Sequence, residues 1–235
     1  MSEGLSIPGR FNGPLDSGNG GYCSGIVAGL LEAPAVEVRL RRPVPLDSHL
    51  DVVRDAPGSV RVLDGEQLVV EGRAVPELDL DVPAPVAAPE ARQAAAGYRG
   101  SSDGLFSRCF VCGPAREDAF GVFAGEVRGR QLVASPWTPP SWTADPAGRV
   151  LPEFVWAVLD CPTYFALYMR GDLPLSVLAQ LTARIDAPVV AGEEHVVMAW
   201  PIGAEGRKRH AGSAVISPGG DLLAAAHALL IEPRG

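Results

Sequence analysis

The chain has 235 residues, 47% apolar and 20% charged, with 27 glycines and 22 prolines. Such a chain can bury a substantial core in one or two domains with frequent turns, and general disorder is excluded. A formal net charge of −8 offers no basic face for a phosphate backbone or an anionic bilayer, so no nucleic acid and no membrane partner is expected.

The opening stretch MSEGLSIPGRFNGPLDS lacks the basic and apolar regions of a signal peptide, and no apolar run reaches the roughly 18 residues of a membrane span. The expected location is cytoplasmic. Four cysteines, Cys23, Cys109, Cys112 and Cys161, are too sparse for a disulfide scaffold and fit a reducing compartment.

The stretch GNGGYCSGIVAGLLEAP, residues 18–34, predicts a helix over 20–32. Asn19 is its N-cap, because the side-chain oxygen can accept a free N–H of the first turn. Gly20 and Gly21 leave the first N–H groups bare, so a ligand atom can approach the positive end of the helix dipole. A flexible turn before a core helix is the alternative. No dinucleotide or phosphate loop is present, since FNGPLDS is no buried strand and G-x-x-x-x-G-K-[ST] does not occur.

Strand alternation follows in VEVRLRRPVPLDSHLDVV before its first proline, Pro43, and SVRVLDGEQLVVEGRAV reads as strand, Gly-containing turn and strand. The Pro/Ala-rich segment VPELDLDVPAPVAAPEARQAAAGYRGSSDG carries no strand pattern and is read as a connector with a short helix over 87–96. Next come CFVCGP, residues 109–114, and a second helix in LPEFVWAVLDCPTYFALYM, residues 151–169. LTARIDAPVVAGEEHVVMAW overlays the first strand set, with Arg39 over Arg184 and Pro43 over Pro188. GSAVISPGGDLLAAAHALLI overlays the first hairpin, with Gly65 over Gly220 and Leu68 over Leu223, and the intervening PIGAEGRKRH makes a longer hairpin in the second copy. Chance likeness between alternating strands competes with a true repeat. The predicted organisation is an N-terminal half over 10–80, a linker over 81–104 and a C-terminal half over 105–233.

A helix followed by antiparallel strands that wrap around it describes an α+β hotdog. NGGYCSGIVAGLL resembles the start of the central helix in hotdog-fold acyl-CoA thioesterases, where His-Gly-Gly or Asn-Gly-Gly is common. CFVCGP resembles the Cys-x-x-Cys-Gly-Pro lead-in of phenylacetyl-CoA thioesterase-like proteins, and VLPEFVWAVLDCP their acid-bearing helix. The resemblance implies a tandem (double) hotdog, each half an antiparallel sheet wrapped around a central helix. It implies an acyl-CoA or acyl-carrier thioester substrate, with a homodimer of double hotdogs as a further expectation. Superfamily members of other function exist, so a non-catalytic acyl-thioester binding protein and a hotdog dehydratase or hydratase stay open.

Thioester hydrolysis needs a carboxylate and donors for the developing oxyanion. The acid whose surroundings fit the family's position is Asp160, on an otherwise apolar helix, with Thr163 as a partner for the acid or its water. Alternatively Asp160 caps a new helix whose first turn contains Pro162. The oxyanion donors are the N–H groups of Gly21 and Tyr22, and Asn19 and Gly20 border the substrate. The first half thus has donors and no acid before Glu32; the second has Asp160, but Pro152 stands where the family has bare glycine. One composite site between the halves is the expectation. Arg207, Lys208 and Arg209 are candidates for coenzyme A phosphates, against a merely solvated run.

Cys109 and Cys112 have metal-like spacing, but a structural zinc site needs four ligands and no second C-x-x-C or H-x-x-x-H exists. They read as a tight turn, Cys23 and Cys161 joining them only if folding happens to bring them there, and neither metal nor cofactor is expected. His49, His195, His210 and His227 fall in strands or hairpins, away from the helix starts where a dehydratase would need one. G-x-S-x-G occurs only as Gly100-Ser101-Ser102-Asp103-Gly104 in the connector, which reads as neither strand nor helix there and so makes no nucleophile elbow. Trp137, Trp142, Trp156 and Trp200 suggest an aromatic wall in the second half.

Overall fold

The computed structural model describes residues 3–169, 172 and 174–232. Strand β1 (Glu3–Leu5) leads to α1 (Gly20–Ala28), then β2 (Ala35–Leu40), β3 (Leu50–Val53), β4 (Ser59–Asp64) and β5 (Gln67–Val75). Helix α2 (Ala88–Ala95) precedes β6 (Gly125–Glu126), β7 (Val133–Trp137) and α3 (Pro152–Leu167). The chain closes with β8 (Val177–Ile185), β9 (His195–Glu205), β10 (Lys208–Ile216) and β11 (Leu222–Ile231).

Among the described residues all eleven strands join one sheet in the order β1-β3-β4-β5-β2-β8-β11-β10-β9-β7-β6. Its centre is the antiparallel β2–β8 pair, with Glu37 opposite Thr182. Read outward from that seam, β2-β5-β4-β3-β1 and β8-β11-β10-β9-β7 follow the same chain order. Helix α1 packs on β2 and β5, α3 packs on β9, β10 and β11, and the two helices pack on each other. The fold is therefore a double hotdog, each half an antiparallel sheet around a central helix. Residues of β3 and β4 alternate between buried and more accessible, as strands with one face on the core do. The main core lies between the sheet and both helices, with Val38, Val62, Leu159 and Leu181 fully enclosed. Among the described residues no helix is long and apolar enough to cross a membrane.

The connector is not loose chain. Val86, Ala91 and Ala94 pack with Met198, Trp200 and Ile216 in a second apolar cluster, Arg92 pairs with Glu194, and Arg130 donates to the carbonyls of Ala84 and Pro85. Three strands are absent from the sequence reading. β1 and β6 are too short for a period to register. β7 contains Pro136, which the sheet accommodates because β6 pairs only with Val133 and Ala134, leaving β7 an edge at the proline. β1 pairs with β3, so the first half reaches back before residue 10, while residue 233, the far boundary of the second half, lies outside the described residues. The insertion PIGAEGRKRH lengthens β9 and β10 to 11 and 9 residues, against 4 and 6 for β3 and β4. The turn itself stays tight, with Gly206 at φ +56°.

Candidate active site

Helix α1 begins as an N-capped helix: the Asn19 side-chain oxygen accepts the Tyr22 N–H at 2.9 Å. That N–H is therefore not bare, and the Tyr22 ring is buried against Phe11 with centroids 4.3 Å apart. This corrects the expectation for Tyr22, whose N–H and side chain both belong to the helix cap and core. The Gly20 N–H has no partner among the described residues, and Gly20 borders a cavity. Gly21 does not line the cavity and its N–H is taken by Asp160, so it is not the bare donor expected, and its lack of a side chain serves packing. A Cβ there would sit 2.5 Å from the Trp156 carbonyl oxygen and 2.6 Å from the Asp160 Cβ, and one at Gly25 would sit 2.5 Å from the Glu153 Cα. The two glycines, one turn apart, let α1 cross α3 backbone to backbone.

Helix α3 runs unbroken through Pro162, so Asp160 does not cap a new helix. Two hydroxyls bond carbonyls in the turn before the proline: Ser213 donates to Leu159 O and Thr163 to Asp160 O, both at 2.6 Å. Thr163, fully buried, thus serves the backbone of Asp160 and not its carboxyl group, a correction to its expected role.

The Asp160 carboxylate crosses between the halves. Its Oδ2 accepts the Gly21 N–H at 2.8 Å. Burial pushes its pKa up to about 7, outweighing the Gly21 N–H that favours the charged form, while charge on Cys109 pushes in the same direction as burial. Part of the carboxyl still faces a cavity of about 370 Å³, whose walls include Leu40, Val44, Leu178, Leu230 and Ile231. Asn19, Gly20 and Asp160 share that cavity with Arg41 and Arg42, which are exposed and mark its solvent rim. Arg41 pairs with Glu71; Arg42 has no ion pair among the described residues.

Three sulfurs line the same cavity. Cys109, Cys112 and Cys161 place their Sγ atoms within 4.8 Å of one another. Asn19 Nδ2 points at two of them, 3.5 Å from Cys161 and 3.7 Å from Cys109. Hydrogen bonds from Cys112 and Cys161 hold the Cys109 thiol well below its usual range, and the same coupling with burial pushes the other two up. The tight turn is present, with the Gly113 N–H on the Cys109 carbonyl at 2.9 Å. Of the two cysteines that folding could have brought to this pair, it brings Cys161 and not Cys23, and the adjacency of Cys161 to Asp160 on a helix facing the site was the available signal.

Several other candidates stand elsewhere. Arg207, Lys208 and Arg209 do not line the cavity: Arg207 donates to the Glu232 carbonyl at 2.8 Å, Arg209 pairs with the Glu232 carboxylate at 3.0 Å and Lys208 approaches Glu205 at 3.9 Å. The rim cations Arg41 and Arg42 were missed because the sequence places them simply at the end of a strand. No tryptophan forms a cavity wall, since Trp137 and Trp156 are buried in the core and Trp142 stacks with Arg10 at the surface. No histidine lines the cavity either. At the opposite end of the helix pair, where α3 starts, Pro152 offers no N–H and the last residues of α1 include no acid.

The same architecture occurs in solved structures of low sequence identity. The tesB protein of Mycobacterium avium subspecies paratuberculosis superposes with a TM-score of 0.58 at 14% identity, over 91% of this chain and 84% of its own. A conserved protein of unknown function with hot dog fold from Alicyclobacillus acidocaldarius gives 0.62 at 13% identity, over 99% and 93%. A protein described as a candidate thioesterase from Novosphingobium aromaticivorans gives 0.63 at 11% identity, over 98% and 95%. No family model matches the sequence, and no curated protein matches it. At these identities the likeness establishes the fold.

Proposed function

We propose that the protein is a thioester hydrolase of the acyl-CoA thioesterase superfamily, with one composite site where Asp160 of the second half meets the start of α1 in the first. The observation that carries this reading is the 2.8 Å bond between Asp160 Oδ2 and the Gly21 N–H, made beside an apolar cavity. A carboxylate serving only as a helix cap would have favoured binding without chemistry.

In the proposed reaction the thioester carbonyl enters at the α1 start. The unpaired Gly20 N–H, and the Gly21 N–H once the carboxylate turns to water, stabilise the developing oxyanion. Asp160 takes a proton from the attacking water, the C–S bond breaks, and the proton passes to the leaving thiolate. The acyl chain lies along Leu40, Leu178 and Leu230. The diagnostic experiment is a free-thiol release assay over aromatic, short-chain and long-chain acyl-CoA thioesters; ligand binding without release above background on every member would replace hydrolysis with a binding function.

Two further results are expected. The base must be ionised, and its pKa stands at about 7, so kcat/KM should fall tenfold per pH unit below about pH 6 and level off above about pH 8. A flat pH–rate profile from 5.5 to 8.5 (an assay range of about three units) would remove Asp160 as the base. Arg42→Ala should raise KM about 3–10-fold for a coenzyme A thioester and leave the matching pantetheine thioester unchanged, as expected for a rim cation that meets phosphate. Equal effects on both substrates would exclude phosphate recognition by Arg42.

A further inference from the structure

We propose that Cys109, Cys112 and Cys161 form a binding site for a thiophilic divalent cation, zinc by its donor set, with the fourth coordination position open to the cavity. The site is carried by geometry. Three sulfurs from two separate segments, the 109–113 turn and α3, converge within 4.8 Å of one another. The Cys109–Cys161 separation is 3.8 Å, and a tetrahedron with metal–sulfur bonds of about 2.3 Å has edges of about 3.8 Å.

The surroundings hold this arrangement in place. Gly113 closes the turn where a Cβ would fall 2.5 Å from the Cys109 nitrogen and 2.6 Å from its oxygen. Tyr98 Oη fixes the Cys112 carbonyl at 2.6 Å. Asn19 Nδ2 aims at the sulfurs of Cys109 and Cys161, the kind of donor that orients and charge-balances metal-bound thiolates. A disulfide explains less. It joins two sulfurs at about 2.05 Å and leaves the third without a role, whereas a metal uses all three. The remaining cysteine, Cys23, stands outside the cluster.

A bound cation would clip the 109–113 turn to α3. The same turn already reaches the first half through the Phe110 N–H on the Asn12 carbonyl at 3.1 Å, so the clip would also brace the start of α1. This inference is independent of thioester hydrolysis, because metal binding is read without substrate.

The test uses the full chain, reduced, chelator-treated and titrated with Co²⁺ under argon. One equivalent should bind, giving thiolate-to-cobalt charge-transfer bands and the intense visible d–d bands of a tetrahedral site, and Zn²⁺ should bleach both stoichiometrically. Zinc should also raise the thermal midpoint of the wild-type chain in a concentration-dependent way. Cys161→Ser and Cys112→Ser should each weaken Co²⁺ binding at least about tenfold, while Cys23→Ala should bind like the wild type. Wild-type protein that shows no charge-transfer band at saturating Co²⁺ would overturn the proposal whether or not the variants fold. So would undiminished binding by folded Cys161→Ser, or a quantitative Cys109–Cys161 disulfide in protein purified without reductant that then takes up no metal.

Discussion

Asp160→Asn is expected to lower thioester turnover by about 10²–10⁴-fold, the range for losing a general base, with acyl-CoA affinity nearly unchanged. The asparagine oxygen can still accept the Gly21 N–H that now bonds Asp160 Oδ2, so the helix crossing and the cavity survive. Only the proton-accepting role is removed. The same variant should be more stable than the wild type at pH 8. The folded-state pKa is raised to about 7 against about 3.9 in an unfolded chain, so between those values the folded state holds a proton that the unfolded state has released. Wild-type stability therefore falls as pH rises from about 4 to about 7, and asparagine escapes that loss. Three pK units bound the effect at about 4 kcal/mol, and because part of the carboxyl faces an open cavity, 1–2 kcal/mol is the expected order. Urea denaturation of both proteins at pH 5 and pH 8 measures it. A stability difference that is the same at both pH values would show that the carboxylate is not strained by burial. Glu32→Gln, an exposed change just beyond the end of α1, should alter turnover and stability by less than about 0.5 kcal/mol.

The architecture was legible because its signals are local. The strand after α1, the Asn19 cap and the glycine turn after β4 are each set by a few adjacent residues and appear at or within a residue or two of the predicted place, but the alternation expected before Pro43 does not hold, because β2 lies between β5 and β8 and its first four residues are buried. Asp160 stood out because a lone acid on an apolar helix needs a reason. Apart from the meeting of Asp160 with the α1 start, which the family resemblance implied, what escaped were features that depend on distant segments meeting. Cys161 lies 52 residues from Cys109 in sequence yet 3.8 Å away by sulfur, and no spacing rule spans that gap. Arg42 looks like a strand-end charge until the cavity wall is drawn. The bare Tyr22 N–H expected from the glycines before it fails for a different reason: Asn19 claims the third donor of the helix and leaves the first, on Gly20, without a partner among the described residues.

The glycines of α1 offer a separation of packing from chemistry. Gly25→Ala is expected to destabilise the fold by about 1–3 kcal/mol, the typical cost of overpacking, although alanine is favoured over glycine within a helix by about 1 kcal/mol. The steric term wins because the added Cβ would meet the Glu153 Cα at 2.5 Å and the Trp156 Cβ at 2.9 Å, and the first of these, a backbone atom, cannot swing aside. The helices would have to separate, which uncovers buried surface along the whole crossing. The folded fraction should nonetheless retain most of its turnover, since Gly25 does not border the cavity. Gly21→Ala should show a loss of similar size in stability and a further loss in turnover of at least tenfold, because its Cβ falls 2.6 Å from the Asp160 Cβ and 2.5 Å from the Trp156 carbonyl oxygen, and a shift of about 1 Å between carboxylate and donors can cost about 10²-fold. Denaturant midpoints and turnover per folded molecule, measured on both variants, separate the two effects. If Gly21→Ala and Gly25→Ala lose turnover equally once corrected for the folded fraction, the contact between Asp160 and the α1 start belongs to the packing of the helices and not to the reaction.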